Sequence, residues 1–309
     1  MRTNMKESYT TTNINEANAV THSGVFHADD VMATVILDRA FEGIKVLRTF
    51  RVPEDLPEDV IVYDIGHGKF DHHQKGGNGV RENGVPYSSC GLIWKKFGHK
   101  VVEETETLNP ELVWSLVDRD LIQGIDAADN GQMPQADYPV QELGIYKMIS
   151  QFNPNWNEEI SADDAFEMAC EFADSIFENA IANAIARAEA YEAVEEAIEK
   201  SQNGVMVFEE GYVPFEDLAI SSENTKAPEV CFAVYPTLRQ DWACKAVPDV
   251  KGGKGQRKPL PEEWRGLPAE KLREVTGVES AIFCHPAGFM CSAGTREDAI
   301  KMAELAMMR

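Results

Sequence analysis

The chain has 309 residues, with 29 Lys and Arg against 52 Asp and Glu, for a net charge of −23 at pH 7. Its 43% hydrophobic and 26% charged residues are ordinary globular usage, which excludes global disorder and predicts one large or two medium domains. The charge argues against broad electrostatic wrapping of nucleic acid but is compatible with an anionic substrate held locally by metal ions.

No apolar run reaches the roughly 18 residues of a membrane helix, and the polar residues 1–17 read as a flexible tail without a secretory core. Six scattered cysteines without a CxxC pair predict reduced, buried thiols in a cytoplasmic protein, not a structural zinc site. From residue 19, strand and helix alternate. A short strand ends at His22, a helix covers 31–41, and strands are expected over 45–52 and 60–66, the latter stopping at Asp64. The Gly- and Asn-rich stretch 76–89 reads as a mobile loop whose Ser88 or Ser89 caps a helix over 89–98. Another helix is expected from Pro110 to near Asp126. Residues 162–201 lack Gly and Pro and read as a long solvated connector, one helix or two in tandem. Strands follow at 204–208, 229–238, 242–247 and 280–289, and a helix at 296–308 is capped by Thr295. The expected fold is α/β, a doubly wound, mainly parallel sheet with a long connector helix and a second, smaller α/β domain. The expected divisions are 18–160, 161–202 and 203–309.

Five of the seven histidines fall between residues 22 and 73, interleaved with aspartates. His22, His27, Asp29 and Asp30 lie within nine residues of a strand-to-helix turn, a donor set that suits a divalent ion. The alternative is that Asp29 or Asp30 only caps the helix. Asp64 stands at a strand end, a ligand position in parallel sheets and equally a turn position. In Asp71-His72-His73, adjacent histidines in extended chain face opposite ways, so one is expected to ligate and the other to face substrate. Asp126 and Asp129 share one helix face, where a cation would relieve their repulsion.

HSGVFHADDV, VYDIGHGKFDHHQKG, RENGVPYSSCGLIWKKFG and IDAADNG resemble, in order, the motifs of the DHH phosphoesterase superfamily, and most closely its Myg exonuclease family of metal-dependent hydrolases. WACKAVP, RKPLPEEWRGL and AIFCHPAGFMCSAGTREDAIKMA extend the resemblance to residues 18–308. His67 stands where the family more usually has glycine. The resemblance implies two divalent ions, Mn²⁺ or Mg²⁺, in the first domain. His22, His27 and Asp64 would hold one; Asp29, Asp64, His72 and either Asp126 or Asp129 the other. His73 would act on the phosphoryl or leaving group, and Asp71 would orient a neighbouring histidine.

The second domain is expected to recognise phosphate and to be needed for catalysis. Lys254, Arg257 and Lys258 form a basic island in an acidic chain. His285, Gly288 and Arg296 are further candidates, as is Arg81 in the first domain. The resulting expectation is a 3′–5′ exonuclease of RNA or other single-stranded nucleic acid. A phosphatase or diesterase for short oligonucleotides or small phosphate compounds is the alternative, and a non-catalytic metal-binding regulator a further one. Phe26, Tyr87 and Trp242 are candidate base-stacking residues.

Overall fold

Buried apolar side chains over residues 19–20, with Val46 beside them, build a small parallel sheet in the computed structural model, which describes residues 8–41, 43–107, 109–132 and 143–309. Two compact units divide the chain, Met1–Ile185 and Ala186–Arg309.

In the first unit, strand β1 (Ala19–His22) leads into helix α1 (Ala28–Phe41), which returns the chain to β2 (Val46–Thr49). The third strand is β3 (Ile61–Val62). All are parallel in the order β2-β1-β3, with Ala19 opposite both Val46 and Ile61. β3 is shorter than its apolar run suggests because Asp64 turns to φ 55° and Gly66 to 87°. A Cβ at Gly66 would lie 2.8 Å from Val52 Cγ2, so only glycine fits the turn. Helix α1 starts earlier than expected, which places Asp29 and Asp30 in its first turn. Asp30 Oδ1 accepts the His27 N–H at 2.8 Å, closing the helix N-terminus with an acid where the backbone dipole favours one.

Helix α2 (Ser89–Glu103) follows. The helix expected from Pro110 is three consecutive pieces: α3 (Pro110–Val117), a π turn over Asp118–Ile122, and α4 (Gln123–Asp129). The loop expected to be mobile is pinned. Arg81 N–H donates to Val85 at 2.9 Å, and Asn78 Nδ2 donates to the carbonyls of Lys69 and Asp71, both at 2.9 Å. The short α5 (Ile145–Ser150) was not foreseen. Ser8–Ala17, expected as tail, is packed instead: Tyr9 is buried, its N–H donates to Glu167 and its carbonyl accepts from Val46. Residues 1–7 of that tail lie outside the described residues.

Helix α6 (Ala162–Glu199) is unbroken and gives residues to both units. It is not solvated all round, because Phe166, Ala169, Cys170, Ala173 and Phe177 are buried in the first unit.

The second unit is a five-stranded mixed sheet. Its elements are β4 (Val205–Val207), α7 (Phe215–Ser221), β5 (Phe232–Pro236), β6 (Trp242–Ala246), α8 (Ala269–Thr276), β7 (Ala281–Cys284), β8 (Met290–Ala293) and α9 (Arg296–Met308). The order is β4-β5-β6-β8-β7, with only β4 and β5 parallel. Phe232 and Val234 pack with Trp264, Leu272 and Met302 on one face, and Met206 and Ala233 with Ile198 and Leu218 on the other. The single strand expected over 280–289 is a hairpin arm and its turn. Thr295 caps α9 as expected, accepting from Asp298 N–H at 3.2 Å.

Candidate metal centre

Parallel pairing sets His22 at the end of β1, and the turn after β3 brings Asp64 to it. His22 Nε2 lies 3.2 Å from Asp64 Oδ2 and 3.2 Å from Asp30 Oδ2. Asp64 Oδ1 accepts from Ser89 Oγ at 2.9 Å and has His72 Nδ1 at 3.5 Å and His73 Nδ1 at 3.4 Å. His72 Nε2 meets Asp129 Oδ2 at 2.8 Å, and His72 Nδ1 stands 3.9 Å from Asp29 Oδ2. Three donor groups result, the first and last sharing Asp64: His22, Asp30 and Asp64; His27, Asp29 and Asp129; and Asp64, Asp71, His72 and His73. The His22 and His27 ring centroids are 6.1 Å apart.

The expectation that His72 and His73 face opposite ways does not hold. The chain there is not a strand, both Nδ1 atoms turn toward Asp64, and the ring centroids are 4.3 Å apart. They differ in exposure instead, with side chains 8% exposed for His72 and 55% for His73. Asp71 Oδ1 takes the His73 N–H at 3.0 Å and lies 2.8 Å from His73 Nδ1; Oδ2 takes the His67 N–H at 2.6 Å. A carboxylate can only accept, so His73 carries its proton on Nδ1. His67 sits at φ 54°, the left-handed region that glycine would otherwise fill.

The electrostatics of this cluster are unbalanced. Both Asp29 oxygens are buried with no donor, and so is Asp30 Oδ2, which approaches His22 without hydrogen-bond alignment. No Lys or Arg forms an ion pair with Asp29, Asp30, Asp64 or Asp129 among the described residues. Burial pushes the Asp29 carboxyl well above the usual range, and the charges of Asp64, Asp129 and Asp30 push further. Burial also raises Asp30 to about 7, with His22 partly offsetting it. Burial alone would lower His22, but the Asp64 hydrogen bond and the two carboxylates outweigh it and raise the imidazole to about 9. The same contest raises His72, through Asp129, and lowers Asp129. Orphaned buried carboxylate oxygens beside neutralisable imidazoles are what a divalent cation removes, so the residues present fit such ions.

Asp126 stands apart from this cluster. Its Oδ2 takes Arg81 Nη1 at 2.6 Å, and its Oδ1 takes Ser88 Oγ at 2.6 Å and the Gly91 N–H at 2.9 Å. A Cβ at Gly91 would fall 1.9 Å from Asp126 Oδ2, so glycine lets the carboxylate lie on α2. Asp126 is thus a structural anion, and Asp129 is the one of the pair that reaches His72. Ser88 spends its hydroxyl here and does not cap α2. Arg81, expected to bind substrate, is consumed by Asp126 and by both oxygens of Asp118, at 2.7 and 3.1 Å.

The second unit's candidates divide similarly. Arg257 donates to the carbonyls of Ala227, Val230 and Ala219, and Lys258 Nζ to Met307 O, so the basic island is mostly internal scaffolding. Lys254 is exposed. Gly288 at φ 72° admits Arg265, whose Nε would lie 2.5 Å from a Cβ there; that close approach accounts for the glycine without a phosphate. His285 Nδ1 accepts the Ala287 N–H, and Arg296 pairs with Glu209 at 2.9 Å. Sequence reasoning places Asp30 in the donor set of this turn but in neither ion's ligand set, and it reads Ser89 only as a possible cap; Ser89 acquires its role through a contact 25 residues away.

Residues 18–307 match the MYG1 exonuclease family, described as uncharacterised protein family UPF0160. A MYG1 protein of Schizosaccharomyces pombe is 31% identical over 93% of this chain and 96% of its own. A human protein named MYG1 exonuclease is 29% identical over 92% of this chain and 84% of its own. A crystal structure of RecJ in complex with Mn²⁺ from Thermus thermophilus aligns at TM-score 0.29 and 12% identity, over 96% of this chain and 54% of that one, a likeness too slight to bear on fold or chemistry. No helix among the described residues is long and apolar enough to cross a membrane.

Proposed function

The chain belongs to the MYG1 exonuclease family, and from that premise we propose that it is a metal-dependent phosphodiesterase, a 3′–5′ exonuclease of single-stranded nucleic acid with RNA preferred. The observation that carries the metal dependence is the buried, donorless carboxylate of Asp29 beside Asp30 and Asp64. Two Mn²⁺ or Mg²⁺ ions bound there would neutralise the carboxylates, polarise a phosphoryl oxygen and make a water more acidic.

In this reading Asp64 would help to hold both ions. His22 and His27 complete one site, with Asp30 beside His22, and Asp29, His72 and Asp129 complete the other. Ser89 orients Asp64 by donating to Oδ1. Asp71 holds the His73 Nδ1–H, so His73 presents Nε2 to a substrate, and in its doubly protonated form it would pass the Nε2 proton to the leaving oxygen. Burial alone would raise the Asp71 carboxyl, but the His73 and His67 N–H donors outweigh it and hold it low, as a group that orients without taking the proton. The second unit serves as the substrate-binding part, through Lys254, His285 and Arg296.

Cleavage of short oligonucleotides or small phosphate compounds is the second reading, favoured by the net charge of −23, which repels long polyanions. One assay separates these. Purified protein with Mn²⁺ is offered a labelled RNA 20-mer, a dinucleotide, pyrophosphate and a generic phosphodiester. Stepwise shortening of the 20-mer from its 3′ end is expected. Hydrolysis of pyrophosphate alone would favour the second reading, and no hydrolysis of any of the four would remove both.

A further inference from the structure

Three large apolar side chains stand in water around the turn that carries His22 and His27. Val25 is 67% exposed, Phe50 79% and Trp156 96%. Single exposed apolar residues are ordinary, but these three are tied to one short stretch of backbone. Phe50 follows Thr49, the register partner of His22, and Ser23 N–H donates to Thr49 O at 2.9 Å. The Phe50 ring is seated on Gly24, where a Cβ would be 3.4 Å from Cε1. Trp156 sits on a loop whose two ends are fastened to the same turn. Asn153 exchanges hydrogen bonds with both backbone groups of Phe26, at 3.0 and 2.9 Å. Arg48 joins Gly24 O to Ala162 O at 2.9 Å each. Arg51, next to Phe50, is exposed and forms no ion pair among the described residues, which leaves a positive charge beside the ring in an acidic chain.

We propose that Phe50, with Trp156 as a second platform, is a nucleobase-stacking subsite beside the metal centre, with Arg51 facing the adjoining phosphate. The proposal rests on the phosphodiesterase reading and assigns that site a base-bearing, single-stranded substrate. A flat ring seated on glycine two residues from His22 offers one π-face to a base while the connected phosphodiester reaches the histidines and aspartates. Stacking of this kind tolerates every base, because each has a π-face. Two of the three aromatic residues favoured from sequence do not serve: Phe26 is fully buried, and Tyr87 already lies under Arg81 and Lys95, at 4.1 and 4.7 Å.

The test compares two fluorescein-labelled hexamers, oligoadenylate and an abasic ribose-phosphate chain of equal length. Binding to the full chain is read by anisotropy with Ca²⁺ in place of Mn²⁺. Phe50→Ala should weaken the oligoadenylate about tenfold, leave the abasic chain within about twofold, and be rescued by Phe50→Trp. Trp156→Ala should act in the same direction with a smaller effect. Phe50 is exposed, so its removal does not threaten folding. An unchanged preference for the base-bearing hexamer in Phe50→Ala, or equal losses on both hexamers, would overturn the subsite. Its failure is separable from that of the enzyme reading: base-dependent binding through Phe50 without Mn²⁺-dependent hydrolysis would remove the nuclease and keep the subsite, and hydrolysis indifferent to Phe50 would do the reverse.

Discussion

Two buried acidic clusters lie in the same unit, and only one is electrically closed. Around Asp126, a guanidinium, a hydroxyl and a backbone N–H meet both carboxylate oxygens, and Arg81 spends its remaining donors on Asp118. Around Asp64, acids and imidazoles crowd together, and three buried carboxylate oxygens have no donor. A fold gains nothing from an uncompensated buried charge, so the open cluster is the candidate for metal binding and the closed one is accounted for by its own hydrogen bonds. The lesson is sharpest at Asp126 and Asp129: one turn of helix separates a scaffold residue from a candidate ligand.

The largest expected effect breaks the open cluster. Asp64→Asn should lower kcat by about a thousandfold or more and reduce bound metal, measured by elemental analysis of the folded protein. Retention of full metal and turnover would place the centre elsewhere. The matching change in the closed cluster should do the opposite. Arg81→Met strands two buried carboxylates and should cost about 3–5 kcal/mol of stability in denaturant, with metal stoichiometry unchanged in the folded fraction.

His72 and His73 sharpen the contrast within the open cluster. His72→Ala should weaken metal binding, whereas His73→Ala should keep the metal and lower kcat by about a hundredfold. Equal metal loss by titration calorimetry would erase that division. Asp29 supplies a pH signature. A carboxyl whose folded value is raised destabilises the metal-free fold above its unfolded value near 4, and that penalty fades as pH falls. In chelator, the protein should therefore gain stability between pH 7 and 5. Asp29→Asn should flatten that slope and add about 1–3 kcal/mol at pH 7. A smaller effect comes from proton competition: with Asp30 raised to about 7 and His22 to about 9, Mn²⁺ affinity should climb from pH 6 to 9 with release of protons. An affinity flat across that range would contradict the displacement of protons by the ion.

Much of this contrast was legible in the chain, but not its resolution. The strand end at His22 follows from an apolar run stopped by a polar residue, Asp64 falls two residues beyond its strand, and the Ala/Glu-rich stretch without Gly or Pro forms one helix. The fate of Asp126 depended on Arg81, 45 residues earlier, and on Gly91, so local pattern could not separate it from Asp129. The basic island misled for the same reason. Its charge is local, but the carbonyls that absorb Arg257 and Lys258 come from distant segments. Strand β8 is short and holds Cys, Ser and Ala, too little apolar character to show outside its hairpin. Phe50 lay inside an expected strand, and only its seat on Gly24 shows that the ring is left in water.

Diffraction from Mn²⁺-soaked crystals, collected at the manganese absorption edge, tests the central claim most directly. Two anomalous peaks are predicted, both bounded by Asp64, one toward His22 and His27 and the other toward Asp29, His72 and Asp129, with none at Asp126. Absence of any peak at Asp64, or a peak held by Asp126 and Asp118, would contradict the account.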